Sequence, residues 1–236
     1  MFKGKFEDLI LYEDDTFIIV NKPPFLATLE DRSANSNLLH MAREYHTDAQ
    51  VCHRLDKETS GLLVIAKTND TYKYFSKLLA NREVTKVYHA LVDGRHEIDE
   101  QEIDTPLYSS SNKTRVDYAQ GKPSITLIST LEIYKQHTLL ACMPFTGRMH
   151  QIRVHLASKG LPICGDEMYG GLPIYLSHFK RKFKIAKFEE EQPIMRRMSL
   201  HASGLHFPKE NGEILKITAP YPKDFHVTIR QLEKNR

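Results

Sequence analysis

Eight segments of the chain alternate apolar with polar residues or form short apolar runs. These segments are rich in β-branched and aromatic residues and are bounded by Asp, Asn, Gly or Pro, which is the pattern of β-strands. The pattern predicts strands at residues 8–12, 17–20, 61–67, 86–92, 124–134, 138–145, 200–207 and 212–219.

Four further segments carry apolar side chains three and four positions apart, which is the spacing of one helix face. The spacing predicts helices at residues 35–45, 69–81 and 222–234, with Asn69 or Asp70 as the cap of the second. Residues 149–159 fit a strand or a helix. The length of the run and Gly160 just after it favour a helix.

Strands outnumber helices, and several strands follow one another directly, which predicts an α+β fold with a largely antiparallel sheet. No repeat or linker marks a boundary, so we expect a single domain over residues 1–236 or two closely packed lobes. Residues 172–197 are expected to form an inserted arm. Its interleaved basic and aromatic residues suit either a groove for RNA or a solvated hairpin.

Composition narrows the class of protein without identifying a function. A net charge of +3 permits an RNA partner but does not predict one. No apolar run is long enough for a membrane span, and the first residues lack the features of a signal peptide. Cys52, Cys142 and Cys164 are far apart, which favours reduced thiols. These features predict a cytoplasmic protein with no membrane partner.

The sequence HRLDKETSGLL at residues 53–63 leads from a polar loop into an apolar strand. Asp56 lies on this loop, where a rigid strand can hold a reactive group in place. A carboxylate there can act as a nucleophile, a base or a metal ligand, or it can simply cap a turn. Spacing alone leaves these alternatives open.

A second stretch, TGRMHQIRVHLASKGLPICGDEMYG at residues 146–170, is dense in Arg and His beside an apolar face. It fits either phosphate contacts or a positive partner for a buried carboxylate. His150 and His155 are five positions apart and lack the H-E-x-x-H arrangement, so we expect no metal site.

Taken together, the two stretches resemble the RluA-type pseudouridine synthase family. Their motifs are H-R-L-D-x-x-T-S-G-L-L and T-G-R-x-H-Q-I-R-V-H-L-x-x-x-G-x-P-I-x-G-D-x-x-Y-G. Smaller matches are VNKP at residues 20–23, KVYHALVDG at 86–94, GKPSIT at 121–126 and LHA at 200–202. The resemblance covers nearly the whole chain and implies a mixed, mainly antiparallel sheet with flanking helices and a central catalytic cleft.

The resemblance implies an isomerase that converts uridine in ribosomal or transfer RNA to pseudouridine without a cofactor, with Asp56 as the catalytic residue. Arg153 falls on the family Arg that pairs with this carboxylate, and a nearby cation keeps an Asp ionised in a water-poor pocket. Tyr88 falls on the Tyr that stacks on the target base. Arg54 falls on an Arg that contacts phosphate or fills the gap left by a flipped nucleotide.

Arg148, His150 and Gln151 match the same motif and are expected either to contact the RNA or to shape the pocket. After residues 21–23 the family usually reads x-G-L-x-V-H, whereas this chain reads PFLATL at residues 24–29, so that loop is expected to differ. The resemblance implies a shorter member without an N-terminal S4 domain. Nothing in the sequence demands more than a monomer, so a monomer is expected.

Three other functions compete with this interpretation. A binding protein without catalysis would be expected to lack Asp56, Arg153 or Tyr88, and all three are present. A metal-dependent hydrolase would need ligands at short spacings. A glycoside hydrolase with an Asp nucleophile would need a second carboxylate, and Glu58, two residues away, does not ensure that geometry.

Overall fold

The computed structural model describes residues 4–29, 37–180, 183 and 190–236. The chain divides into two compact units. The first comprises the described residues within 1–87 and 201–222, and the second those within 88–200 and 223–236. The prediction of a single catalytic domain is not decided by this division and stays a prediction.

The first unit is built on a sheet whose strands are β1 (Ile10–Glu13), β2 (Phe17–Lys22), β3 (Gln50–Val51), β4 (Ser60–Ala66), β11 (Leu200–Pro208) and β12 (Ile214–Thr218). The strand order is β1-β2-β4-β11, with β3 beside β4 and β12 beside β11. The pairs β1–β2, β2–β4, β3–β4 and β11–β12 are antiparallel, and the pair β4–β11 is parallel.

Two helices accompany this sheet, α1 (Leu38–Tyr45) and α2 (Asn69–Ala80). The cap of α2 is Thr68, whose hydroxyl accepts from the backbone N of Thr71, so the expected cap at Asn69 or Asp70 was wrong. Phe75 of α2 packs edge-on against Phe17 and Phe207, with ring centroids 5.8 and 5.0 Å away. These three rings lie within a larger buried hydrophobic cluster of the first unit.

The strands of the second unit are β5 (Thr85–Asp93), β6 (Gln101–Asp104), β7 (Leu107–Ser109), β8 (Thr114–Val116), β9 (Ile125–Ile133) and β10 (His137–Pro144). Four of them form antiparallel pairs in the order β5-β10-β9-β6, and β7 and β8 form a separate hairpin. The helices are α3 (Gln151–Ser158) and α4 (Lys223–Lys234). The chain passes between the two units three times, within β5, within β11 and just before α4.

The α+β prediction with a largely antiparallel sheet is confirmed. Each of the eight predicted strands overlaps an observed strand, and residues 149–159 contain the helix α3. Residues 35 and 36 of the first predicted helix lie outside the described residues. The described chain has no helix with both the length and the apolar character to cross a membrane.

The arm expected at residues 172–197 lies partly outside the described residues, which omit 181–182 and 184–189. Arg197, one of its basic residues, is buried and forms a two-point pair with Asp224 of α4, at 2.7 and 3.0 Å. It also donates to the carbonyls of Met198 and Leu200. Arg197 therefore stabilises the second unit, whereas Arg196 is exposed.

Candidate active site

Asp56 lies on the loop between β3 and β4, which we call the Asp56 loop (residues 53–59). A turn begins at Asp56, because the backbone N of Thr59 donates to its carbonyl at 3.0 Å. Leu55 is buried, Asp56 is partly buried and Arg54 is exposed. The loop thus anchors one side chain in the core and directs its neighbours toward the surface.

Thr28 holds the Asp56 loop just before the carboxylate. Its buried hydroxyl donates to the carbonyl of Leu55 at 2.9 Å and accepts from the backbone N of Leu55 at 3.3 Å. Thr28 belongs to the segment that departs from the family pattern. A residue of this divergent segment therefore directly supports Leu55, which precedes Asp56.

Lys22 holds the loop just after the carboxylate. Its ammonium group is fully buried and donates to the carbonyls of Pro23, Leu26 and Lys57 at 3.1, 2.9 and 3.2 Å. The backbone N of Phe25 donates to the same carbonyl of Lys57 at 2.8 Å. Residues 22–28 therefore support both neighbours of Asp56 in sequence.

The TSG part of the first motif joins the Asp56 loop to β11. Ser60 and Gly61 pair in parallel with His201 and Ala202. Gly61 has a φ of +111°, and a β-carbon there would lie 2.1 Å from the carbonyl oxygen of Ala202, so only glycine fits. Ser60 Oγ lies 2.9 Å from His201 Nδ1. This half of the motif is structural.

His53, the first residue of the Asp56 loop, is fixed by contacts with β4 and α2. Its Nε2 accepts from the backbone N of Val64 at 3.2 Å, and its ring stacks on Phe75 at a centroid distance of 6.4 Å. Burial, helped by the nearby charge of Lys86, lowers the pKa of His53 to about 3. The imidazole is therefore neutral at physiological pH, as an acceptor must be.

In the second unit, Gln151 fixes the turn that leads into α3. Its Oε1 accepts from Thr146 Oγ1 at 2.7 Å and from the backbone N of Arg148 at 3.0 Å. Its Nε2 donates to the carbonyl of Ile125 at 2.9 Å and to Thr126 Oγ1 at 3.0 Å. All four hydrogen-bonding positions of this buried amide are thus taken by protein groups.

Arg153 of α3 is held by Asp166 and Tyr169, and Tyr169 is held by His150. We call these four residues the Arg153 cluster. Arg153 Nε and Nη2 donate to the two carboxylate oxygens of Asp166, both at 2.7 Å. The guanidinium group lies over the ring of Tyr169, 4.9 Å from its centroid. A two-point charged pair combined with stacking fixes both the plane and the direction of a guanidinium group.

Tyr169 is fixed in turn by its hydroxyl group. The hydroxyl accepts from the backbone N of Thr114 at 3.0 Å and lies 2.8 Å from His150 Nδ1. His150 precedes α3 with a φ of +53°, in the left-handed region, which histidine tolerates better than most residues. His150 and Tyr169 therefore brace the side chain of Arg153.

Tyr88 begins the part of β5 that belongs to the second unit and is partly buried against its hydrophobic cluster. Its register partner is Cys142 of β10. Arg148 is exposed on the turn before α3. Asp56 and Arg54 thus belong to the first unit, and the other five predicted site residues belong to the second. The pairing of Arg153 with Asp56 stays a prediction.

Four supporting residues were not singled out from the sequence: Lys22, Thr28, Asp166 and Tyr169. Three of them lie inside matched motifs, and Thr28 lies in the divergent segment. Lys22 and Thr28 bind mainly backbone carbonyl and amide groups, which leave no trace in residue spacing. In the described part of the chain, no group of three or more His, Cys, Asp or Glu side chains is arranged to hold a metal ion.

Comparison with known proteins gives a consistent result. Residues 16–158 match the protein-family model described as RNA pseudouridylate synthase. The ribosomal large subunit pseudouridine synthase C of Buchnera aphidicola is 35% identical, covering 96% of this chain and 71% of the relative. The dual-specificity RNA pseudouridine synthase RluA of Vibrio parahaemolyticus is 36% identical, covering 94% and 86%.

Two solved human structures share this fold. RNA Pseudouridylate Synthase Domain Containing 1 aligns with a TM-score of 0.70 and 28% identity, covering 94% of this chain and 87% of that one. RNA Pseudouridylate Synthase Domain Containing 4 aligns with a TM-score of 0.73 and 23% identity, covering 97% and 95%. The fold implied by the sequence resemblance is confirmed.

Proposed function

This chain belongs to the RNA pseudouridylate synthase family and is an enzyme that converts uridine to pseudouridine, and from that premise we propose that Asp56 is its catalytic carboxylate and that its uridines lie in ribosomal or transfer RNA. The family and the enzyme class predicted from the two motifs are confirmed. The observation that carries the proposal for Asp56 is the two-sided support of its loop by buried Thr28 and Lys22. Such support keeps a reactive group in one geometry.

The reaction breaks the bond between ribose C1′ and uracil N1 and forms a bond between C1′ and C5; the hydrogen on C5 leaves as a proton, and N1 takes up a proton. Asp56 can form a covalent bond with C1′ while the uracil leaves as an anion. It can instead remove the proton from C2′, giving a glycal to which that proton later returns. Both routes regenerate the carboxylate and need no oxidant or group donor.

Arg153 supports either route by pairing with the Asp56 carboxylate and keeping it ionised. The contacts of Arg153 with Asp166 and Tyr169 favour this role, because they orient the guanidinium group before substrate binds. Tyr88 is proposed to stack on the target base, to which an aromatic ring contributes about 1–3 kcal/mol. We therefore propose Asp56, Arg153 and Tyr88 as the catalytic set.

Arg54 and Arg148 are proposed to bind the RNA backbone, because both are exposed and carry charge suited to phosphate. Arg54 is also suited to fill the space left when the target nucleotide is flipped out. His150 and Gln151, also expected from the motif to contact the RNA or shape the pocket, are proposed to shape it. Their contacts with Tyr169, Thr146 and the backbone favour a positioning role, in which they shape the turn before α3.

Ribosomal RNA is supported by relatives named as ribosomal large subunit pseudouridine synthases, and transfer RNA is kept as the alternative that the sequence resemblance implies. We further propose that the enzyme acts as a monomer without metal or cofactor. The three cysteines are free, and burial raises the pKa of Cys52 to about 12 and raises those of Cys142 and Cys164 as well. Unpaired thiols are usual in a reducing compartment, which supports the cytoplasm as its location.

The test is to map pseudouridine by carbodiimide-based sequencing in total RNA from cells with and without this gene. A deletion strain is complemented with the wild-type protein or with Asp56→Ala. We expect one or a few ribosomal or transfer RNA sites to disappear on deletion and to return only with the wild-type protein. No change in either class of RNA would refute the proposed substrates, and full rescue by Asp56→Ala would refute the role of Asp56.

A further inference from the structure

Phe25 combines two properties that are each unusual for a large apolar residue. Its φ is +66°, in the left-handed region that bulky residues rarely adopt because the β-carbon crowds the backbone. Its side chain is also 51% exposed. Packing within the protein therefore offsets only part of the strain in the backbone.

The family pattern sharpens this observation. After the N-K-P element the family usually reads x-G-L, and this chain reads Pro24-Phe25-Leu26, so Phe25 occupies the position of the glycine. Glycine adopts a positive φ without strain. A phenylalanine that keeps the glycine conformation while exposing its ring points to a function for the ring.

Phe25 is also fixed close to the proposed catalytic carboxylate. Its backbone N donates to the carbonyl of Lys57 at 2.8 Å, and the buried ammonium group of Lys22 donates to the same carbonyl. Lys57 directly follows Asp56, and neighbouring Cα atoms are about 3.8 Å apart. The backbone of Phe25 is therefore held by the same contacts that hold the Asp56 loop.

A nucleotide bound with its C1′ at Asp56 brings its neighbours within reach of this segment, since successive nucleotides in a stacked strand rise by about 3.4 Å. Flipping the target uridine also removes a stacking partner from those neighbours. An exposed aromatic ring on a rigid backbone is the group that can replace the lost stacking.

We propose that Phe25 is a substrate-binding residue whose ring stacks on an unpaired base next to the target uridine. The proposal rests on the proposed function, because it takes Asp56 as the site of the target nucleotide. It makes Phe25 a contributor to the choice of RNA, since the strength of stacking depends on the base that is offered.

The test measures affinity in an Asp56→Ala background, so that binding is separated from turnover. The probe is a fluorescein-labelled RNA stem-loop with one uridine in its loop, and fluorescence anisotropy gives its Kd. Phe25→Gly and Phe25→Asn both suit the positive φ and remove the ring. Each is expected to raise Kd about tenfold, equivalent to about 1.4 kcal/mol. Phe25→Tyr, which keeps a ring, is expected to restore most of the affinity.

A second probe carries abasic sites on both sides of the uridine. With this probe the wild-type ring has no base to stack on, so Phe25→Gly should no longer change Kd. The control Ile214→Ala removes an apolar side chain that is 54% exposed on β12 and should bind both probes as the parent does. The melting temperature of Phe25→Gly should equal or exceed that of the parent, because glycine relieves the strained φ.

Equal Kd values for the Phe25→Gly variant and its parent on the intact probe would overturn the proposal. A marked fall in melting temperature in both Phe25→Gly and Phe25→Asn would also overturn it, by showing a structural role. Failure of the proposed function gives a different result. The wild-type protein would then release no C5 hydrogen from uridine in RNA, while the dependence of Kd on Phe25 would still be measurable.

Discussion

At the scale of single residues, Thr28 and Thr138 make the same pair of hydrogen bonds in different places. Thr28 bridges the backbone N and O of Leu55, while Thr138 donates to the carbonyl of Gly94 and accepts from the backbone N of His96. Both hydroxyls are buried. Only Thr28 acts on the loop that carries Asp56. Comparing matched variants of Thr28 and Thr138 therefore separates an effect on stability from an effect on catalysis.

We predict that Thr28→Val and Thr138→Val each lower the free energy of unfolding by about 1–3 kcal/mol, because each leaves buried polar groups without their partner. Urea denaturation measures this loss. Only Thr28→Val should also lower kcat for the folded enzyme, because only that change loosens the Asp56 loop. Equal kcat values in the two variants would show that Thr28 does not position Asp56.

Two Arg–Asp pairs of the second unit, one buried and one with a partly exposed Asp224, allow a similar comparison. Asp166 holds Arg153, and Asp224 holds Arg197, each through two hydrogen bonds. We predict that Asp166→Asn lowers kcat more than it raises KM, because Arg153 loses its fixed direction. Asp224→Asn should lower the melting temperature and leave kcat of the folded fraction unchanged. If both variants lose only stability, the Arg153 cluster is structural.

At the scale of secondary-structure elements, the junction of β4 with β11 explains why a motif for catalysis contains a glycine. Gly61→Ala would bring a β-carbon to 2.1 Å from the carbonyl oxygen of Ala202 and would strain a φ of +111°. Gly212, in the same unit, also has a positive φ, of +84°, but a β-carbon there meets nothing within 4 Å.

We predict that Gly61→Ala is far more destabilising than Gly212→Ala. The second variant reports the strain of a positive φ alone, at about 1–2 kcal/mol. The first adds a clash with backbone that cannot move without separating the two strands, so its loss should exceed that of Gly212→Ala by at least ~2 kcal/mol. Thermal unfolding of both variants measures the difference, and equal losses would contradict the role assigned to this junction.

The elements that the sequence pattern missed are short strands with few buried residues. β6 buries only Ile103, and β3 has just two residues, so neither produces a periodic signal. Long strands such as β2 and β4 are almost wholly buried and are recognised by their apolar runs. The helix α3 was ambiguous because six consecutive residues are buried, which removes the usual contrast between its faces.

The candidate site, like the fold, was predicted only in part from the sequence. Asp56 and Arg153 are identified by motif, but the groups that hold them are not. Thr28 reaches the Asp56 loop through backbone atoms, and Asp166 reaches Arg153 across thirteen residues of chain. Such contacts depend on how the chain folds back on itself, and residue spacing does not report them.

At the scale of the whole molecule, several histidines are neutral in the folded protein. Burial lowers the pKa of His53 to about 3 and that of His89 to about 4, and it also lowers the pKa values of His137 and His155. In the unfolded chain the same histidines have the ordinary pKa of 6.5 and take up a proton as the pH falls through that value. The stability that these neutral histidines contribute is therefore fully present above pH 6.5 and decreases as the pH falls toward 4.

We predict that the free energy of unfolding falls between pH 6.5 and pH 4, by at most ~1.4 kcal/mol per pH unit for each such histidine. His53→Gln keeps an acceptor for the backbone N of Val64 and removes one titrating group, so its profile should be flatter. Burial raises the pKa of Asp14, but hydrogen bonds from the hydroxyl of Tyr12, the backbone N of Phe17 and both the hydroxyl and backbone N of Thr16 lower it overall, so Asp14 acts only below this window. An unchanged slope in His53→Gln would contradict the assignment.

The most direct test of the central claim measures tritium released from RNA labelled at C5 of uridine, because forming the C1′–C5 bond expels that hydrogen. The substrate is the ribosomal or transfer RNA of the deletion strain, treated with the wild-type protein, Asp56→Asn or Asp56→Ala. Melting temperatures confirm that all three are folded. We predict release by the wild-type protein and none above background by either variant. Release by a folded Asp56→Ala variant at the wild-type rate would show that Asp56 is not the catalytic carboxylate.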